Sequence, residues 1–294
     1  MQSMGGIMDI DERKFRFEAA DGASIAAYRW AATGVEPKAI LQIAHGMGEH
    51  AGRYPAALAP IMADGFILYA EDHRGHGYTA ASKESLGDFG ETGAERVVED
   101  IAQLNAIARA EQPGLPLVLL GHSLGSFFAQ AYVFDHGDEI DGLVLSGTAA
   151  FGDRSGPAKR LDEIGVGEAK PRTPYDWLSR DEAEVDAYIA DPLCGFSRHT
   201  DNAASFARVA ARLKDGAEIA KIPKALPIYV FVGDKDPINQ DLTLLKPLVD
   251  RYVAAGIEDL EVKIYPGGRH EMLNETNRAE VVADLLAWLK RVAA

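Results

Sequence analysis

A doubly wound α/β domain is predicted by three observations on this 294-residue chain. Short apolar runs bounded by Gly, Pro or Asp recur along it, as strands do. Segments of helical period lie between those runs. The runs in the middle of the chain are apolar throughout, which is expected of strands covered by helices on both faces. Strand and helix in alternation imply a mostly parallel sheet with right-handed crossovers.

The elements follow in order. KFRFEA (14–19) and SIAAYRW (24–30) alternate in polarity, as a half-exposed pair at a sheet edge would. AILQIAHG (39–46) is the third run, and YPAALAPIMADG after it reads as a helix stopped by Gly65. FILYAEDHRG (66–75) is followed by TGAERVVEDIAQLNAIARAEQPG, a long helix that Pro113-Gly114 terminates. PLVLLGHS (116–123) leads into the helix SFFAQAYVFDHG, and GLVLSG (142–147) follows. PIYVFVGD (227–234), the helix LTLLKPLVDRYVAAG, EVKIYPGG (261–268) and the helix NRAEVVADLLAWLKRVAA complete the series. That makes eight strands.

The alternation breaks between about residues 150 and 222. FGDRSGPAKRLDEIGVGEAKPRTPYDW is rich in charge, Gly and Pro, and two helical segments follow it, DEAEVDAYIADP and NAASFARVAARLKDG. The stretch is too long for an ordinary loop. It reads as an insertion over one end of the sheet, with residues 1–149 and 223–294 forming the core and 150–222 the excursion.

Composition excludes several classes. Thirty Lys and Arg against 45 Asp and Glu leave a net charge of −15, which repels phosphate backbones and anionic headgroups. No nucleic-acid partner is expected. Cys194 is the one cysteine, so no intrachain disulfide can form, in keeping with a reducing compartment. The start, MQSMGGIMDIDERK, lacks a basic segment followed by an apolar run, and no stretch approaches a membrane span. A cytoplasmic protein is the expectation.

The chemistry centres on LVLLGHSLGS (117–126). A strand ends at Leu120, a helix starts near Ser126, and Ser123 sits on the turn between Gly121 and Gly125. That is the setting of a G-x-S-x-G nucleophile elbow. Side chains at 121 or 125 would collide with neighbouring backbone. The turn exposes the hydroxyl at the strand's C-terminal end, near the positive end of the helix.

A serine hydroxyl needs a base to take its proton. Of eight histidines, His270 follows the last strand on a loop at the same edge of the sheet. His122 is adjacent in the turn and should point away from the hydroxyl. His45, His50, His73 and His76 lie in loops they would tie together, and His136 and His199 have no motif around them. The imidazole needs an acid to fix its tautomer. Asp236, in GDKDPIN, fits, with Asp234 the nearest rival. Ser, Asp, His is the chain order of the α/β-hydrolase triad. Backbone N–H groups of Leu124 and Met47, the latter in HGMGEHAGRY, are the candidate oxyanion donors; HGMG also reads as a turn capping the next helix.

HGMGEHAGRY, DHRGHG, GHSLGS, SRDEAEVDAYIADPLCG, GDKDPI and GGRHEMLNE resemble, in order, the motifs of monoacylglycerol lipases and related lysophospholipase-like serine hydrolases. The resemblance runs from about residue 15 to the C-terminus. It implies an α/β-hydrolase fold with an eight-stranded sheet, a helical cap after the sixth strand, and ester hydrolysis without a cofactor. It also implies Ser123 as nucleophile, Asp236 as acid, His270 as base, and Met47 and Leu124 as oxyanion donors. In such a cap, Phe151, Leu161, Ile164, Val166, Tyr175, Trp177 and Leu178 could line an acyl pocket or form a small core of their own. No broad apolar face for a bilayer is evident, so at most weak membrane contact through the cap is expected. Asp72, His73, Arg74 and His76 of DHRGHG read as a loop scaffold, and no set of metal ligands is recognised. The expected substrate is a small ester with an acyl chain. General short-chain esterase, amidase or peptidase, acyltransferase and non-enzymatic binding protein are the alternatives. A dehalogenase would need an aspartate where Ser123 stands.

Overall fold

The eight apolar runs pair into one sheet. The computed structural model describes residues 9–90, 93–150, 171–240 and 242–294. The strands are β1 (Ile10–Glu18), β2 (Ser24–Ala32), β3 (Ala39–Ala44), β4 (Phe66–Glu71), β5 (Leu117–His122), β6 (Gly142–Ser146), β7 (Ile228–Gly233) and β8 (Leu260–Tyr265). Their order across the sheet is β1-β2-β4-β3-β5-β6-β7-β8. β2 runs antiparallel to β1 and β4, and all other neighbours are parallel.

The helices are α1 (Tyr54–Ala57), α2 (Ala59–Ala63), α3 (Gly93–Glu111), α4 (Leu124–His136), α5 (Glu182–Ala190), α6 (Ala203–Lys214), α7 (Gly216–Ile219), α8 (Leu245–Ala254) and α9 (Arg278–Val292). They cover both faces. Alternate residues of β3 point opposite ways, Ile40 and Ala44 toward α3, α4, α6 and α8, Leu41 and Ile43 toward α1, α2 and α9. Each fully buried Leu or Ile contributes roughly 1.5–3 kcal/mol, and β3 to β7 are buried at every position. β8, at an edge, is only partly buried.

Two expectations need correction. β1 is the exposed edge, but β2 lies one strand in and is largely buried, because β4 pairs along its other side. Tyr28 and Trp30 of β2 stack at 5.0 Å. The helix expected over 54–65 is broken at Leu58 into α1 and α2, each with a proline in its first turn. Pro60 lacks the N–H that a continuous helix would need there.

Between β6 and β7, residues 171–199 lie over the C-terminal ends of the parallel strands. Tyr188 OH donates to Gly48 O at 2.8 Å, Gly195 N–H to Gly48 O at 3.0 Å and His199 N–H to Gly87 O at 2.9 Å. Arg180 pairs with the buried Glu275 at 2.8 Å. α6 behaves differently: Phe206, Val209 and Leu213, at helical spacing, enter the core shared with α3 and α4. Among the described residues, no helix is long and apolar enough to cross a membrane.

Candidate active site

Ser123 stands between β5 and α4 with φ 50° and ψ −117°, a conformation that L residues rarely adopt. The turn is tight because the helix packs directly on the strands. A Cβ on Gly125 would lie 2.0 Å from Ala44 O, and one on Gly121 would lie 2.5 Å from Gly125 O. Ser123 N–H donates to Ser146 O at 2.9 Å, and the hydroxyl of Ser126 donates to Ser123 O at 2.6 Å. These bonds hold the strained peptide from both sides.

His270, on the loop after β8, is 2 % exposed, and its Nδ1 lies 2.9 Å from Oδ2 of the fully buried Asp236. The other carboxylate oxygen of Asp236 accepts from Ile238 N–H at 2.8 Å. With Nδ1–H given to Asp236, Nε2 is the ring atom left to receive a proton. Burial alone would lower the affinity of His270 for protons, but the charge and hydrogen bond of Asp236 outweigh it and hold the imidazole above its ordinary value. Asp234 has other work: its Oδ1 accepts from Gly267 N–H at 2.7 Å and ties the β7 loop to the β8 loop. Ser123 and His270 border one cleft of about 590 Å³.

His122, expected to point away from the Ser123 hydroxyl, keeps its ring at the edge of the site. Its ring lies 4.9 Å from that of His270, borders the same cleft and meets Ser146 Oγ at 3.2 Å. Burial, then the neighbouring His270, depresses it to about 4, so it is a neutral wall. The other loop histidines bind loops together. His73 N–H donates to His45 Nε2 and His73 Nε2 meets His45 O, both at 3.0 Å. Gly48 N–H donates to His76 Nε2 at 3.3 Å. Asp72 accepts from Tyr28 OH, Ala51 N–H and Tyr78 N–H.

Met47 borders the cleft, and its N–H has no acceptor among the described residues. Leu124 N–H opens α4, so it has no intrahelical acceptor. The loop carrying Met47 is fixed by residues whose roles the sequence did not reveal. Glu49 accepts from Gly46 N–H at 2.6 Å and from Tyr54 OH at 2.8 Å. Arg53 donates to Glu49 at 2.7 Å and, through both Nη atoms, to Glu271 at 2.7 Å. One partly buried guanidinium therefore joins the Met47 loop to the residue after His270. Burial raises the proton affinity of Glu271, but Arg53 overrides it and holds the carboxyl down at about 2. A legible signal existed for half of this cluster: Glu49 and Arg53 are four residues apart at a helix start.

Tyr175, Trp177, Leu178, Phe196 and Ile238 form much of the apolar wall of the cleft, with Glu49 and Glu271 at a polar part and Arg198 also on the lining. Phe151, Leu161, Ile164 and Val166 lie outside the described residues. His50, Asp191 and Cys194 bring possible metal-ligand atoms within 4.8 Å of one another. Their chemistry favours a hydrogen-bonded set. His50 Nδ1 accepts from Gly52 N–H, so Nε2 carries the hydrogen that meets Asp191 at 2.9 Å. Burial raises the thiol of Cys194 far above its ordinary value and keeps it protonated.

The chain matches the serine aminopeptidase, S33 family over residues 35–277. It is 34% identical over 260 residues to a monoacylglycerol lipase of Mycolicibacterium smegmatis, covering 86% of this chain and 89% of that one. A monoglyceride lipase of Homo sapiens is 28% identical, with 87% of this chain and 82% of the relative covered. The fold superposes with a TM-score of 0.84 on a highly thermostable carboxyl esterase from Bacillus coagulans, 27% identical, over 96% of this chain and 99% of that one.

Proposed function

The chain belongs to the serine aminopeptidase, S33 family of hydrolases, and on that footing we propose that it hydrolyses carboxylic esters through Ser123, His270 and Asp236. The observation that carries the reading is the buried His270–Asp236 pair, 2.9 Å apart, opening on the cleft that Ser123 borders. His270 Nε2 takes the proton of Ser123, whose Oγ attacks the ester carbonyl. Met47 N–H and Leu124 N–H receive the oxyanion. The proton returns from His270 to the departing alcohol, and water repeats the sequence on the acyl-enzyme. Within the 150–222 insertion, residues 171–199 act as a cap over the core of 1–149 and 223–294, in keeping with the bonds from Tyr188 and Gly195 to Gly48, whereas α6 packs into that core.

The cleft suggests the substrate. Trp177, Leu178, Phe196 and Ile238 suit an acyl chain, and the Glu49–Arg53–Glu271 cluster suits a leaving alcohol with further hydroxyls. A monoacylglycerol combines both, and relatives named for that activity support it. The single cysteine and the −15 charge favour a cytoplasmic protein with at most weak membrane contact through the cap. A chain-length series of monoacylglycerols and p-nitrophenyl esters tests the reading, with matched amides alongside. Turnover by Ser123→Ala should fall on the order of a million-fold; retained turnover would overturn the assignment.

A second reading, an ester that also carries an anionic group such as a lysophospholipid, is favoured by Arg198. Its guanidinium rests 4.6 Å from the Phe206 ring centroid, borders the cleft and has no ion pair among the described residues. A higher kcat/KM for anionic than for neutral esters, lost in Arg198→Met, would select it.

A further inference from the structure

Glu71, the last residue of β4, is fully buried and takes no part in the proposed chemistry. Its Oε1 lies 3.1 Å from Nδ1 of His73, which is equally buried. Neither carboxyl oxygen nor Nδ1 has any other hydrogen-bond partner.

The surrounding bonds dictate where the hydrogens are. His45 Nε2 accepts from His73 N–H, so His45 is protonated on Nδ1, which donates to Gly46 O at 2.8 Å. His73 Nε2 faces His45 O at 3.0 Å, and only an N–H can meet a carbonyl there. Were Nδ1 then bare and Glu71 ionised, two acceptors would face each other without water, at the full cost of unsatisfied buried groups. One further proton must therefore lie between Glu71 and His73.

Two arrangements hold that proton: an imidazolium beside a carboxylate, or a neutral imidazole beside a carboxylic acid. The setting favours the neutral pair. Burial penalises two separated charges. Among the described residues, the acidic groups facing the pair are Asp72 in the next position, Asp100 of α3 and Glu49 across the loop. Arg74, next to His73 in the chain, is already paired with Asp21 and Asp100 at 2.6 and 2.7 Å. His45 stacks on His73 at 4.0 Å, with His76 5.1 Å from His45. Burial, then Asp100, raises Glu71 well above the carboxylate range, and burial lowers His73 to about 4.

We propose that Glu71 is a neutral carboxylic acid at neutral pH, that it donates its hydrogen to His73 Nδ1, and that it is thereby a positioning residue for the Met47 loop. The acid holds His73 in the Nε2–H tautomer, and that N–H holds His45 O. The same carbonyl packs against the serine turn, where a Cβ on Gly125 would come within 2.5 Å of it. Glu71 thus acts, through His73, on the His45–Gly46 peptide, one unit before the Gly46–Met47 peptide that carries the proposed oxyanion donor and whose carbonyl His45 Nδ1 holds. The effect on turnover rests on the ester-hydrolase reading; the protonation state does not.

Glu71→Gln keeps the shape and offers an amide N–H to Nδ1, whereas Glu71→Leu offers none. Infrared difference spectra of the whole protein at neutral pH should show the C=O stretch of a protonated carboxylic acid, absent from both variants. Nitrogen NMR should show His73 with hydrogen on Nε2 alone, in the parent and in Glu71→Gln. Turnover should be retained in Glu71→Gln and fall roughly ten-fold in Glu71→Leu, in kcat with KM little changed. No acid band together with a doubly protonated His73 would overturn the proposal, as would equal losses of kcat in the two variants. If Glu71→Leu does not fold, the spectra of the parent and Glu71→Gln still decide. If Ser123→Ala keeps its activity while the acid band is present, the ester reading fails and the neutral Glu71 stands.

Discussion

The turn carrying Ser123 and the loops carrying Met47 and His270 are held by opposite means. The turn is held by exclusion: with Gly125 against Ala44 O and Gly121 against Gly125 O, the backbone has almost no room for another path. The loops are held by attraction. Glu49, Arg53 and Glu271 clamp one side, Asp236 orients His270, and the loop histidines bond one another. Steric exclusion is local and strong per contact. A polar network spans many residues and fails through whichever partner is removed.

The sharpest test of the contrast is on the network side. Asp236→Asn should lower kcat about 10⁴-fold, the loss typical when the acid of such a triad is made neutral, with the fold intact by circular dichroism. Asp234→Asn should stay near the parent, because Asp234 serves a loop–loop bond. A reversed result would exchange the two carboxylates. Arg53→Met comes next: it leaves Glu49 and Glu271 buried without their cation, and breaking such pairs costs about 3–5 kcal/mol in urea unfolding. If Arg53→Met proved neutral, the loops would be held by packing and the contrast would collapse.

On the exclusion side, Gly125→Ala should cost about 1–3 kcal/mol, with turnover lost because the serine peptide must shift. The smallest effect is graded. As the proposed base His270 must be neutral, and Asp236 holds its proton affinity above that of an ordinary imidazole. The acid limb of kcat/KM should therefore fall as pH drops through a midpoint above that of an ordinary imidazole, and that limb should move to lower pH in Asp236→Asn.

Much of the framework was readable along the chain. The eight runs became eight strands because their apolar, β-branched composition suits burial on both faces, a property of each segment alone. Ser123, Gly121 and Gly125 sit within five residues, so one turn's sterics announce them. The geometry brings His270 to Asp236 because both follow adjacent parallel strands, whose C-terminal ends share one edge. β2 was misread because its exposure depends on pairing with β4, about 40 positions away. The break in the 54–65 helix was legible in Pro55 and Pro60.

The sequence by itself determined what short-range sterics and hydrophobic period control: the strands, the helices on both faces of the sheet and the tight serine turn. Tertiary structure alone decided that Arg53 would also meet Glu271, where the His122 ring went, and that Glu71 was sealed beside His73. Those outcomes depend on distances between residues far apart in the chain. A charged side chain carries no mark of its future partner, and its ionisation is set by the solvent and neighbours that folding leaves around it.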